Sequence, residues 1–200
     1  MTKAKQLTRR AFVSGAAVGS LVVFSPSLHA ADYTFTQYHN QTDDSPLHLR
    51  LMEMWTAVRN KTGGRVETKV FPENNKIAGS DPQALQMLVS GEIQFYTLMG
   101  GILGNVVPVA EVQQVPFAFR SAAHAHQAMD GPLGAYLRQE MTAKGIQGFP
   151  VGAFDNGMRQ IGATKRSIKV AGDLAGIRMR IPAGPIFEDI FRALGAEPVT

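Results

Sequence analysis

Between residues 33 and 99 strand and helix signals alternate with almost nothing left over, and that alternation limits the fold more than any bulk property does. Residues 33–38, Tyr-Thr-Phe-Thr-Gln-Tyr, place aromatic and polar side chains in turn, the period of a half-buried strand. Ser45-Pro46 follows, a hydroxyl cap with proline in the first helical turn, where a missing amide hydrogen costs nothing. Leu47, Leu51, Met54, Trp55 and Val58 then recur at helical spacing until Gly63-Gly64, which predicts a helix that buries Trp55. Residues 65–71 alternate again until Pro72, and residues 73–80 read as a polar surface loop. Asp81-Pro82 repeats the cap-and-proline signal. Ala84, Leu85, Leu88 and Val89 give a short amphipathic helix that Gly91 closes, and residues 93–99 form a third strand. Strand, helix, strand, helix, strand with short connections describes an α/β chain with a parallel sheet, because parallel neighbours need a crossover between them.

The next stretch, Gly100-Gly101-Ile102-Leu103-Gly104-Asn105, lets backbone approach a ligand, yet no Lys-Ser or Lys-Thr follows to make a phosphate loop. Residues 115–119, Val-Pro-Phe-Ala-Phe, are irregular, with Phe117 and Phe119 expected in the core. Ser121 caps a helix to about Met129, and Leu133, Tyr136, Leu137 and Met141 continue on another to Gly145. Residues 146–154 read as a buried strand, followed by two short basic strands at 159–163 and 177–181. A domain crossing is placed at residues 152–156, giving a first α/β domain over 32–152 and the start of a second over 153–200. The second has too few elements to close a core, so the expectation is a two-domain fold cut short at Thr200.

Within that second unit Asp173 caps a turn that Gly176 ends, and Pro182 stops the strand over 177–181, on which Arg178 and Arg180 point the same way. A helix over 185–194 follows, and the junction of strand end and helix is where open α/β sheets present ligand groups. The guanidinium of Arg180 suits a carboxylate there, since its rigid fork donates two parallel hydrogen bonds; a structural ion pair is the alternative.

The formal charge of +4 invites a nucleic-acid reading, but Lys3, Lys5, Arg9 and Arg10 supply all of the excess. The remainder is balanced and lacks the footprint of a phosphate-backbone partner. Residues 1–31 read as an export signal: a basic start, Arg9-Arg10-Ala11-Phe12 of twin-arginine type, an apolar run too short to span a bilayer, and Leu28-His29-Ala30-Ala31 for cleavage. The mature chain is expected in the periplasm, with no direct membrane insertion after cleavage. With no cysteine, no disulfide, lipid-anchoring thiol or cysteine-held cluster is available. His124 and His126 stand two apart on a helix and face apart, a poor metal pair, and no two carboxylates are placed for acid–base work. Lys165, Arg166 and Lys169 form a basic cluster read as a solvated face.

Eight blocks in order, among them Ser45-Pro46-Leu47-His48, Lys61-Thr62-Gly63-Gly64-Arg65-Val66, Gly79-Ser80-Asp81, Gly157-Met158-Arg159-Gln160, Asp173 through Pro182, and Leu194-Gly195-Ala196-Glu197-Pro198, carry a resemblance. The chain from about Tyr33 to Thr200 resembles the solute-binding receptors of tripartite ATP-independent periplasmic (TRAP) transporters, dicarboxylate-receptor type. The resemblance implies two α/β domains that close on a small organic acid and deliver it to membrane subunits, with no cofactor and no catalysis. It implies that Arg180 makes the main salt bridge to the ligand carboxylate and that Arg159 assists; the alternative for Arg159 is an ion pair with Asp155. It further implies that Asn40, with His39 beside it, and the stretch around Met99 and Gly100 line the cleft from the first domain. Met99, Ile102 and Ala183 are apolar or small, which favours a compact acid over a sialic-acid-like one. Two other readings stand beside this one: a receptor serving an ABC importer or a sensor kinase, and a twin-arginine-exported enzyme with a bound cofactor.

Overall fold

The computed structural model describes residues 30–164 and 166–200. The export-signal reading falls almost wholly outside the described residues, as does Lys165 of the basic cluster. Strand β1 (Tyr33–His39) lies between β2 (Val66–Phe71) and β3 (Phe95–Thr97), all parallel, with Tyr33 level with Val66 and His39 level with Thr97. The crossovers are α1 (Pro46–Lys61) and α2 (Ser80–Ser90), as the alternation requires. Ser45 caps α1 by accepting the His48 amide hydrogen. Gly91 ends α2 at φ +81°, a conformation that side chains with a Cβ resist.

One sheet face packs Phe35 and Trp55 against the Phe95 ring, at centroid distances of 5.5 and 4.7 Å, although Trp55 is only half-buried. The other carries Tyr38, level with Phe71 and Tyr96, towards the main core. That core joins Leu85 of α2, Ile102 and Leu103 of α3 (Gly100–Leu103), Val107, Ala110 of a 3-10 turn (Pro108–Gln114), Leu137 and Ile146. Beyond it α4 (Ala122–Asp130) packs on α5 (Pro132–Ala143), which contributes Leu137. The second sheet pairs β4 (Arg178–Arg180) with β5 (Glu197–Val199) in parallel, joined through α6 (Pro185–Ala193), with Leu174, Ile181, Phe187 and Ala196 buried. Asp173 secures the turn before β4, its carboxylate accepting the amide hydrogens of Lys169 and Val170 and held below the usual acid range chiefly by those bonds.

Several expectations are corrected. The segment after Pro72 is not simply a surface loop: Glu73, Asn74, Asn75 and Lys76 all have left-handed φ between 48° and 57°, and Asn74 is buried. Consecutive left-handed non-glycine residues are strained, and this turn is held by a bond from the Asn74 carboxamide to Asp81. Asp81 itself is not the cap of α2, which begins one residue earlier at Ser80. The glycine stretch expected to let backbone approach a ligand forms a helical turn at Gly100–Leu103. Phe117 is fully exposed at φ +59°, outside any core, while Phe119 packs edge-on against His124. Ile146 is buried and Phe149 stacks on Phe95, but no ladder forms over 146–154 or 159–163. Alternating side chains permit a strand, and only a neighbour's amide and carbonyl groups make one; among the described residues none offers them there.

Candidate functional site

The start of α6, which follows β4, approaches α3, which follows β3, so two helix starts meet just beyond two strand ends. Glycine makes the approach possible. A Cβ on Gly184 would run into the Gly101 carbonyl, and one on Gly101 would run into the Phe187 ring. Asn105 ties the two sides further, its carboxamide donating to the carbonyls of Ile102 and Ala183, each at 2.9 Å.

Arg159 lies across this seam. Its guanidinium carbon stands 5.0 Å above the Phe187 ring and its Nη2 touches Met99 Sδ. Burial first, and the neighbouring Arg180 second, lower the affinity of Arg159 for its proton, although a guanidinium stays charged at any working pH. Asp155 does not neutralise it; that carboxylate accepts the Gly157 amide hydrogen at 2.7 Å. Among the described residues the carboxylate–cation pairs are Arg50–Glu53, Arg65–Asp32, Lys76–Glu73 and Arg192–Glu188, so Arg159 and Arg180 have no acid. Two guanidiniums close enough to repel each other, neither paired with a carboxylate among the described residues, are chemically suited to an anion. A cleft of about 300 Å³ on the same seam, lined by Pro82, Asn105, Ala183, Gly184, Pro185, Glu188 and Thr200, contains neither arginine. Its charged side chain, Glu188, is paired with Arg192, so it does not suit an anion.

From the first sheet, Met99 reaches the arginines through Arg159, whereas Gly100 is buried, its Cα facing the side chain of Gln113 and the Ala110 carbonyl. Asn40, just past β1, is half-buried: its Nδ2 donates to Asp81 Oδ2 at 2.9 Å and its Oδ1 accepts from Gln41 Nε2 at 3.0 Å. His39 is fully buried and both ring nitrogens are engaged, Nδ1 accepting the Gln41 amide hydrogen and Nε2 lying 2.9 Å from His48 Nδ1. Burial, then His48, lowers its pKa from the ordinary 6.5. His39 therefore acts on its surroundings only through Gln41 and His48. The sequence reading missed the hub of this corner, Asp81, whose Oδ1 also accepts from Asn74 Nδ2 at 2.6 Å and from the Tyr96 hydroxyl at 2.9 Å. Burial, with the Asp81 charge second, pushes the Tyr96 hydroxyl well above its ordinary pKa, so it stays a donor. Phe187 and Asn105 were missed as well; their signals are a bulky apolar residue two positions into a proline-started helix and an asparagine after a glycine turn.

Residues 38–200 match the family described as bacterial extracellular solute-binding protein, family 7. The 2,3-diketo-L-gulonate-binding periplasmic protein YiaO of Escherichia coli is 28% identical over 203 residues, which cover 98% of this chain and 57% of that protein. Among solved structures, a TRAP periplasmic solute-binding protein from a Sulfitobacter species with bound β-D-galacturonate superposes with a TM-score of 0.77 at 27% identity, over 83% of this chain and 54% of that one. A second, from Sulfurospirillum deleyianum with bound succinate, gives 0.74 at 26% identity, over 84% and 53%. The chain thus spans about half the length of the relatives it matches.

Proposed function

Because the chain belongs to family 7 of the bacterial extracellular solute-binding proteins, we propose that it is the carboxylate-capturing part of a TRAP transporter receptor. The whole protein takes a small organic acid in the periplasm and delivers it to the transporter's membrane subunits, without chemistry on the ligand. The observation that carries this reading is the Arg159–Arg180 pair without an acid among the described residues. Arg180 takes the carboxylate as a fork, Arg159 adds charge from across the seam, and Asn40 with Met99 contacts the remainder from the first domain. Domain closure near residues 152–156 removes water, which strengthens each ion pair.

Two kinds of neighbour support an acid ligand, one with a sugar acid bound and one with a dicarboxylate. The apolar Met99 and Ile102 and the small Ala183 favour the compact end of that range here. A thermal-shift screen of the full-length mature protein against succinate, D-galacturonate, 2-oxo acids and their neutral amides tests the reading, since a ligand that binds only the native state raises the melting temperature. Shifts from acids and none from amides are expected; equal shifts, or none at all, contradict it. Export through the twin-arginine route predicts that Arg9→Lys with Arg10→Lys keeps the protein in the cytoplasm, read by fractionation.

A further inference from the structure

A continuous line of hydrogen bonds runs from α1 to β3 through the corner that follows β1: His48, His39, Gln41, Asn40, Asp81, then Asn74 and Tyr96. We propose that His48 is a positioning residue for Asn40, acting through His39, and that mild acid breaks the imidazole pair and loosens Asn40. The functional weight of this device rests on the reading above that Asn40 lines the ligand cleft.

The direction of every bond in the line is fixed by what can donate. A backbone N–H has no other role, so His39 Nδ1, which receives the Gln41 amide hydrogen at 3.2 Å, is bare. The His39 proton then sits on Nε2 and is donated to His48 Nδ1, which is bare in turn and leaves the His48 proton on Nε2. A further proton has nowhere to go without loss. On His39 Nδ1 it faces the Gln41 amide; on His48 Nδ1 it faces the His39 Nε2 hydrogen. His48 is half-buried on the first turn of α1 and has solvent to turn to, whereas His39 has none and would keep a buried donor without a partner.

The charged groups on the surrounding elements do not offset this. Glu73 and Lys76, in the turn beside β1, are paired with each other on the surface, and Asp81 spends its oxygens on Asn40, Asn74 and Tyr96. The lateral neighbours of the strand end are Phe71, level with Tyr38, and Thr97, level with His39. What the pair holds in place is Gln41. Its carboxamide secures Asn40 Oδ1, and its carbonyl accepts the Glu73 amide hydrogen that starts the left-handed turn carrying Asn74.

Nitrogen-15 NMR of the full-length protein without ligand tests this directly. At pH 7.5 both rings should show a bare Nδ1 and a protonated Nε2, and the Asn40 side-chain amide should shift as the pH falls to 5. His48→Gln keeps an acceptor for His39 but takes no proton, so its Asn40 signal should hold the neutral-pH position throughout. His48→Leu should show the displaced position already at pH 7.5. A protonated Nδ1 on His39, an Asn40 amide that ignores pH in the wild type, or a His48→Gln variant that titrates like wild type would each overturn the proposal. No ligand enters the measurement, so its failure leaves the arginine site to be judged on its own test.

Discussion

At the scale of single residues, the account turns on Arg180, whose guanidinium has no carboxylate partner among the described residues. A charge-assisted hydrogen bond contributes roughly 1.5–3 kcal/mol, and losing the fork geometry while keeping the charge forfeits at least one such bond. Arg180→Lys is therefore expected to weaken acid binding by about tenfold or more in a titration of the full-length protein, and unchanged affinity would remove the two-bond contact. His39 makes a second prediction at this scale. Its lowered pKa means that the unfolded chain takes up a proton at 6.5 which the native state refuses. The stability it contributes is complete above 6.5 and is lost as the pH falls from there towards the lowered native value. Urea unfolding at pH 7.5 and 5 should show this loss, and His39→Gln should reduce it; equal pH dependence in both proteins would contradict it. The place of Arg180 at the end of a short strand was legible in the sequence, because alternation and the stop at Pro182 are local signals. Asp81 was not, because acid-then-proline is the ordinary signature of a helix cap, and only the fold brings Asn40, Asn74 and Tyr96 to the same carboxylate.

At the scale of elements, α6 owes its place to two glycines, since the Gly184 backbone rests on Gly101 and the Phe187 ring fills the space beside both. Gly184 has φ −151°, so its backbone tolerates any residue and the constraint is purely one of contact. Gly184→Ala must push α6 off α3, and overpacking of this kind costs about 1–3 kcal/mol. Urea melts should show that loss together with weakened acid binding, because Arg159 rides on Phe187. Gly162→Ala, where a Cβ meets nothing within 4 Å, should change neither, and similar behaviour of the two variants would refute the seam. Elements fixed by local signals were readable: the Ser45 and Ser121 caps, the starts at Pro46 and Pro185 and the Gly91 stop fall where the pattern put them, whereas the Asp81-Pro82 start does not. Residues 146–154 and 159–163 were not, because a strand exists only with a neighbour to pair with, and side-chain alternation does not name one.

At the largest scale, the described residues form two parallel sheets, of three and of two strands, that meet at one seam where both arginines lie. The alternation of strand and helix was enough to read the class of both sheets, and the family match over residues 38–200 agrees with it. The contact of Arg159 with Phe187 and Met99 depends on residues up to 60 positions apart, beyond the reach of any local pattern. The measurement that bears most directly on the central claim is isothermal titration of a small carboxylate, chosen from the thermal-shift screen, into the full-length protein and into Arg180→Ala and Arg178→Ala. Arg178 lies on the same strand, carries the same charge and is equally exposed, so it controls for net charge and for strand integrity. The account predicts a loss on the order of a hundredfold for Arg180→Ala and nearly unchanged binding for Arg178→Ala. Equal losses in the two variants, or full affinity without Arg180, would contradict it.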